Sequence, residues 1–203
     1  MFASAECPEN RNIVWMLKEK STERIILGID PGTSVMGYGL VKEIKNKPEL
    51  ICLGVIKLDH LSDHFLKLQQ IFEKTIGLID QYHPDCVALE APFYGKNIQV
   101  MLKLGRAQGV AMAAGLSRNL PIFEYSPRKI KQSITGNGNA GKGQVASMLQ
   151  TLLSFKETPE FLDATDGLAV AVCHSFQRHS VTGDQKSYSG WGAFVKDNEK
   201  RIK

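Results

Sequence analysis

The stretch Arg24–Ser34, reading Arg-Ile-Ile-Leu-Gly-Ile-Asp-Pro-Gly-Thr-Ser, constrains the fold more than any other part of the chain. A short run of β-favouring apolar residues bounded by turn formers reads as a buried strand. Ile25–Ile29 then lies in the interior, and Asp30 emerges at the strand's carboxyl end. Pro31 has no ladder donor and Gly32 tolerates positive φ, so the chain turns there. Val35–Val41 reads as a second strand, which makes a hairpin with Asp30 at its mouth. An Asp before Pro-Gly is by itself an ordinary turn residue. The acids further along give it another meaning.

A third strand is expected over Glu49–Lys57, after a turn at Lys45–Pro48. Ser62 is a suitable N-cap for a helix running to Tyr82, because Phe65, Leu68, Ile71, Phe72, Ile76 and Ile79 recur at helical spacing. Cys86–Leu89 is a short apolar run closing on Glu90, a second buried strand that ends in an acid. Asn97–Ser117 reads as a helix rich in small residues, and Pro121–Tyr125 as a fifth strand. Ser126-Pro127 opens another helical turn, with Pro suited to the first helical position. The glycine-rich Thr135–Gly143 reads as a flexible loop, followed by helices over Gln144–Phe155 and Asp163–His174. Three meandering strands followed by alternating strands and helices make an α/β fold, a five-stranded mixed sheet with helices on both faces. Residues 1–23 read as a mobile leader, 24–180 as the folded domain and 181–203 as a disordered tail. Met16 is a second candidate start.

Composition narrows the function classes. Cys7, Cys52, Cys86 and Cys173 are scattered without a CxxC pair, which suits reduced cytoplasmic thiols and excludes a zinc site. No apolar run is long enough to span a membrane. The net charge of +4 hides an asymmetry: between Ala91 and Lys156 nine bases face the single acid Glu124. A segregated basic segment beside acidic candidates suits a polyanion held against metal-binding carboxylates.

Those candidates converge from three segments. In Phe161-Leu-Asp-Ala-Thr-Asp-Gly-Leu-Ala169 a spacing of three puts Asp163 and Asp166 on one helical face. Small Ala164 and Gly167 beside them allow close approach to the sheet. Helix capping and the helix dipole account for Asp163, and less well for Asp166, because the apolar run that follows implies burial. A buried carboxylate without a partner is costly, so a cation is its natural companion. Asp30, Glu90, Asp163 and Asp166 together offer the hard oxygen ligands that a pair of magnesium ions needs for hydrolysing a phosphodiester.

At this point the motifs become familiar. Ile26–Gly39, Ala88–Asn97, Leu102–Gly105, Phe123–Tyr125, Lys131-Gln132 and Asp163–Ala171 resemble, in order, the motifs of the RuvC family of Holliday junction resolvases. The resemblance covers Ile25 to His174 and implies a ribonuclease H-like fold. It also implies a homodimer and Mg²⁺-dependent cutting of two opposed strands of a four-way DNA junction, with Mn²⁺ able to substitute. It carries the catalytic, metal-binding acids onto Asp30, Glu90, Asp163 and Asp166, and a junction-stacking aromatic onto Phe93. Functional bases fall on Lys131 and Lys142, with Arg128 and Lys129 as further DNA contacts. The RuvA–RuvB branch-migration complex is the implied partner. Departures are the leader, a tail with Trp191, and Arg106-Ala-Gln108 where Gln-Ala-Arg is common; leader and Arg106–Gln108 order are expected to leave the chemistry untouched.

Two other classes compete. Gly28–Thr33 also resembles the first phosphate loop of the actin, sugar-kinase and chaperone ATPase superfamily, but those proteins need two such domains and a second phosphate loop. A non-catalytic DNA-binding module would tolerate loss of the acids, and all four are present.

Overall fold

In the computed structural model, which describes residues 23–92, 97–155 and 162–177, the chain opens with β1 (Glu23–Asp30), β2 (Val35–Ile44) and β3 (Lys47–Lys57). Connections this short allow only an antiparallel meander. A β-carbon on Gly32 would lie 1.7 Å from the Val35 carbonyl oxygen, so only glycine makes the first turn. The second is tighter than expected. Lys45 and Asn46 alone form it, at φ of 50° and 65°, the two-residue geometry that follows the twist of the strands. Pro48 therefore pairs with Glu43 inside β3, which is tolerable because β3 is an edge strand.

Next come α1 (His64–Tyr82), β4 (Cys86–Glu90), α2 (Ile98–Ser117) and β5 (Ile122–Tyr125), then α3 (Pro127–Thr135), α4 (Lys142–Leu153) and α5 (Leu162–Phe176). The sheet order is β3-β2-β1-β4-β5, with β4 and β5 parallel to their neighbours. This is the five-stranded mixed sheet of a ribonuclease H-like fold. Asp63, not Ser62, caps α1. Its Oδ1 accepts from the Phe65 and Leu66 amides at 2.6 and 3.2 Å, and a carboxylate suits the positive end of a helix better than a hydroxyl. Helix α4 sits two residues earlier than expected, with Gly141 as N-cap, and stops where Ser154 turns left-handed. The glycine-rich stretch before it is a hydrogen-bonded turn, not a flexible loop. Asn137 Oδ1 accepts from the Asn139 amide at 2.9 Å, and Thr135 Oγ1 accepts from the Asn137 amide at 3.1 Å.

Strand alternation divides the core into two layers. On one face Ile26, Val41, Cys86 and Ala88 pack with Ile130, Ile134, Leu149 and Leu168 from α3, α4 and α5. On the other, Leu27, Ile29, Leu40, Val87 and Leu89 pack with Ile71 and Ile79 of α1 and Ala107 and Ala111 of α2. Helices thus cover both faces. Among the described residues Cys52, Cys86 and Cys173 form no disulfide, and no helix is long and apolar enough to cross a membrane. The expected leader and tail, Trp191 included, lie outside the described residues, apart from Glu23.

Candidate active site

The register of β1 against β4 ends with Ile29 opposite Leu89, so the next residues, Asp30 and Glu90, stand side by side at the carboxyl ends. Both share the phase of Ile26 and Ala88 and therefore face α5. Helix α5 comes unusually close to the strands. A β-carbon on Gly37 would lie 1.8 Å from the Asp163 carbonyl oxygen, and one on Gly167 would lie 2.5 Å from the Tyr38 backbone. Removal of side chains from both surfaces lets backbone meet backbone. Gly28 and Gly39 complete the seat, each with α5 atoms 2.4 Å from where its β-carbon would be. The reward is the position of Asp163 and Asp166, on the helical turn that rests on β2 beside Asp30.

The electrostatics record the convergence. Burial pushes the Asp30 carboxyl up to about 8, and the charges of Glu90, Asp166 and Asp163 push the same way while Lys142 opposes them. Glu90 is pushed up to about 7, by burial first and by Asp166 next, with Lys142 and Lys131 pulling it down. Carboxyls that resist ionisation this strongly form a site short of positive charge. One cation of the chain supplies part of it. Lys142 Nζ donates to Asp163 Oδ1 at 3.2 Å and to Asp166 Oδ2 at 2.5 Å. Burial works against its charge, but those two acids outweigh it and hold the ammonium above its ordinary range. Among the described residues no three His, Cys, Asp or Glu side chains are already arranged to hold an ion. The donors nevertheless suit one: hard carboxylate oxygens, partly desolvated and mutually repelling, are what a divalent cation relieves.

Comparison with known proteins shows the family. The family model described as crossover junction endodeoxyribonuclease RuvC matches residues 26–174. A protein of that name from Christiangramia forsetii is 62% identical over 182 residues, covering 90% of this chain and 94% of the relative. Its counterpart in Bacteroides fragilis is 55% identical, covering 89% of this chain and 97% of the relative. This chain belongs to the RuvC family. Among solved structures, Thermus thermophilus RuvC in complex with a Holliday junction substrate superposes with a TM-score of 0.70 at 29% identity, covering 75% of this chain and 93% of that one. The chain is accordingly a nuclease of a metal-dependent family.

The other predicted residues of this RuvC-family chain lie in different places. Lys131 and Lys142 belong to the acid cluster: with Glu90 and Asp166 they line a cavity of about 20 Å³. Arg128 and Lys129 lie apart, in a wider cleft of about 490 Å³ with Gln132 and Gln177, and the Lys129 ammonium stands 5.3 Å from the centre of the Tyr125 ring. Arg118, counted in the basic segment, is tied to Asp80 at 2.8 Å and so is occupied within the fold. Phe93 lies outside the described residues.

Two supporting residues escaped the sequence reading. Gln108, nearly buried on α2, donates through Nε2 to the Glu90 carbonyl oxygen at 3.3 Å and to Glu124 Oε1 at 2.7 Å. The departure at Arg106–Gln108, expected to leave the chemistry untouched, thus includes a residue in contact with the backbone of Glu90. His174, fully buried on α5, lies 2.7 Å from the Tyr125 hydroxyl through Nδ1 and 3.4 Å from Cys86 Sγ through Nε2. It bolts α5 to β4 and β5 beneath the acids. A polar residue ending an apolar helix was the available signal.

Proposed function

We propose that the chain resolves four-way DNA junctions by paired phosphodiester hydrolysis, with Asp30, Glu90, Asp163 and Asp166 holding two Mg²⁺ ions and Mn²⁺ serving in their place. The observation that carries this is the meeting of the four acids, from β1, β4 and α5, at one point, where burial first and neighbouring acid charges next raise the pKa values of Asp30 and Glu90. Bound there, the metal supplies an activated water and offsets the charge that builds on the scissile phosphate.

The chain's own residues do the rest. Asp30, pushed up to about 8 by burial and then by the charges of Glu90, Asp166 and Asp163, and Glu90, pushed up to about 7 by burial and then by Asp166, would give up their protons where a cation offset that crowding. Lys131, on the rim of the cluster, draws the phosphate backbone to the acids, and Lys142 joins it. Arg128 and Lys129 extend the basic track along α3. Phe93, three residues beyond Glu90 in sequence, stacks on a base opened at the junction centre.

A junction has two equivalent strands to cut, which favours a two-fold dimer with one site per chain. The outer face of α2 supports it. Among the described residues nothing lies within 4 Å of a β-carbon built on Gly105 or Gly109, and Ile98, Leu102 and Leu116 on the same helix are exposed. The dimer works in the cytoplasm with the RuvA–RuvB branch-migration complex.

The test is cleavage of a synthetic four-way junction with Mg²⁺, with Mn²⁺ and with EDTA, alongside an ATP-hydrolysis assay. Cleavage is expected with either metal and not with EDTA, with no ATP turnover. Asp166→Asn should lose cleavage and keep junction binding; near-normal nicking by that variant would remove Asp166 from the site. Light scattering of Gly109→Leu checks the seam, where a folded, intact dimer would place it elsewhere.

A further inference from the structure

We propose that Lys142 is a displaceable counter-ion, which holds Asp163 and Asp166 together while the site is metal-free and withdraws when a divalent cation enters. The proposal rests on the metal-dependent reading above and adds an order of events to it: lysine off, metal on, lysine to phosphate.

Geometry carries the argument. The ammonium contacts both α5 acids at once, at 3.2 and 2.5 Å, from the first residue of α4. A helix N-terminus repels a cation, and the first turn of α4 holds no acid to compensate. Lys142 is therefore badly placed with respect to its own helix, and the two acids are what make its position tolerable. The cavity beside it, about 20 Å³ between Glu90, Lys131, Lys142 and Asp166, has room for about one water-sized body. An ion entering there meets the ammonium at once. Two cations cannot share the same carboxylates at such range without strong repulsion. The lysine is the partner that can leave: its side chain is 55% exposed on a flexible stem, whereas Asp166 is only 15% exposed.

Displacement makes the lysine a link between metal and substrate. In DNA-free protein, metal must compete with an ammonium already in place, which weakens its binding. Where a phosphate waits to receive the ammonium, the competition eases, and metal and DNA each favour the other by the same factor.

The test is Mn²⁺ titration of the full-length, DNA-free protein, followed by electron paramagnetic resonance. Lys142→Met, which keeps the stem and removes the charge, should bind Mn²⁺ about fivefold more tightly, the scale of one solvent-screened ion pair. Lys142→Arg, which keeps the charge, should stay near wild type. Unchanged or weaker binding by Lys142→Met, or equal tightening in both variants, overturns the proposal. Should Lys142→Met not fold, nitrogen-detected NMR of the wild type decides. An ammonium signal protected by the ion pairs in EDTA should vanish on saturation with Ca²⁺, and its persistence counts against displacement. Neither readout involves cleavage, so failure here leaves the nuclease assignment standing, while loss of metal-dependent cleavage by wild type would sink that assignment alone.

Discussion

The two faces of the sheet use small residues for opposite ends. On the α5 face, Gly28, Gly37 and Gly39 of the strands and Gly167 of the helix are consumed: each occupies a place where a β-carbon would collide with backbone. On the α2 face the helix is seated by Ala107, Ala111, Ala114 and Gly115, while Gly105 and Gly109 point away from the core, with open space around them among the described residues. Glycine that removes a side chain from a contact and glycine that leaves a surface bare look alike in sequence. The difference lies in what faces them. Where backbone meets backbone the chain fixes the acids; where small residues are left outside, it offers a surface.

The sharpest way to break this comparison is to add one methyl group on each side. Gly37→Ala or Gly167→Ala must push α5 off β2, which should destabilise the fold by about 3 kcal/mol or more and abolish cleavage even where some folded protein remains. Thermal denaturation checks the first effect and a junction assay the second. A variant that melts like wild type would mean the helix can slide without loss.

Charge offers the next contrast. The α5 face concentrates carboxyls whose folded-state values are raised, from 3.8 to about 8 for Asp30 and from 4.5 to about 7 for Glu90. Folded protein keeps these protons at pH values where the unfolded chain has lost them. The stability they contribute is therefore present below the ordinary carboxylate values and is lost as pH rises through about 7 and 8. Metal-free protein should melt lower at pH 8 than at pH 5, and Ca²⁺ should flatten that slope. Asp30→Asn should stabilise the metal-free protein at pH 8 by about 2 kcal/mol while ending cleavage. On the other face, Asp80→Asn breaks only an exposed pair with Arg118 and should leave the pH profile as it was. A metal-free melting point that rises with pH across this range would contradict the crowding of the acids.

Gln108 connects the two faces, since it reaches from α2 to the carbonyl of Glu90. Gln108→Ala should lower junction cleavage about tenfold, roughly 1.4 kcal/mol of barrier, with little change in melting temperature. Gln108→Arg, which restores a donor of sufficient reach, should recover most of the rate. Equal losses in both would make the residue a packing element only. The smallest effect belongs to Gly105→Ala. In an open helical position it should raise protomer stability by about 0.5–1 kcal/mol, read by chemical denaturation. A loss instead would show that this face is closely covered in the assembled protein.

Much of this was legible from the residues, for identifiable reasons. Asp30 and Glu90 could be found because each ends an apolar run, and a strand's carboxyl end is where an open α/β sheet places its chemistry. Asp163 and Asp166 could be found because a three-residue spacing fixes a helical face. Partnerships across segments were harder to see. Lys142 reads as a phosphate contact in a basic stretch, and only the docking of α4 beside α5 brings its ammonium to two acids more than twenty residues away. Asp63 displaced Ser62 as a cap because neighbouring cap formers compete on geometry that spacing does not encode. On α2 both faces carry small residues, so composition alone left open which one the sheet would take.

The acids are contributed in an order that matters during synthesis. Asp30 and Glu90 arrive early and lie on strands that can pair as soon as they emerge, but Asp163 and Asp166 ride on the last element of the described fold. A nascent chain therefore carries Asp30 and Glu90 for most of its synthesis before Asp163 and Asp166 join them. The order of the elements therefore leaves an unfinished chain without the two acids of α5.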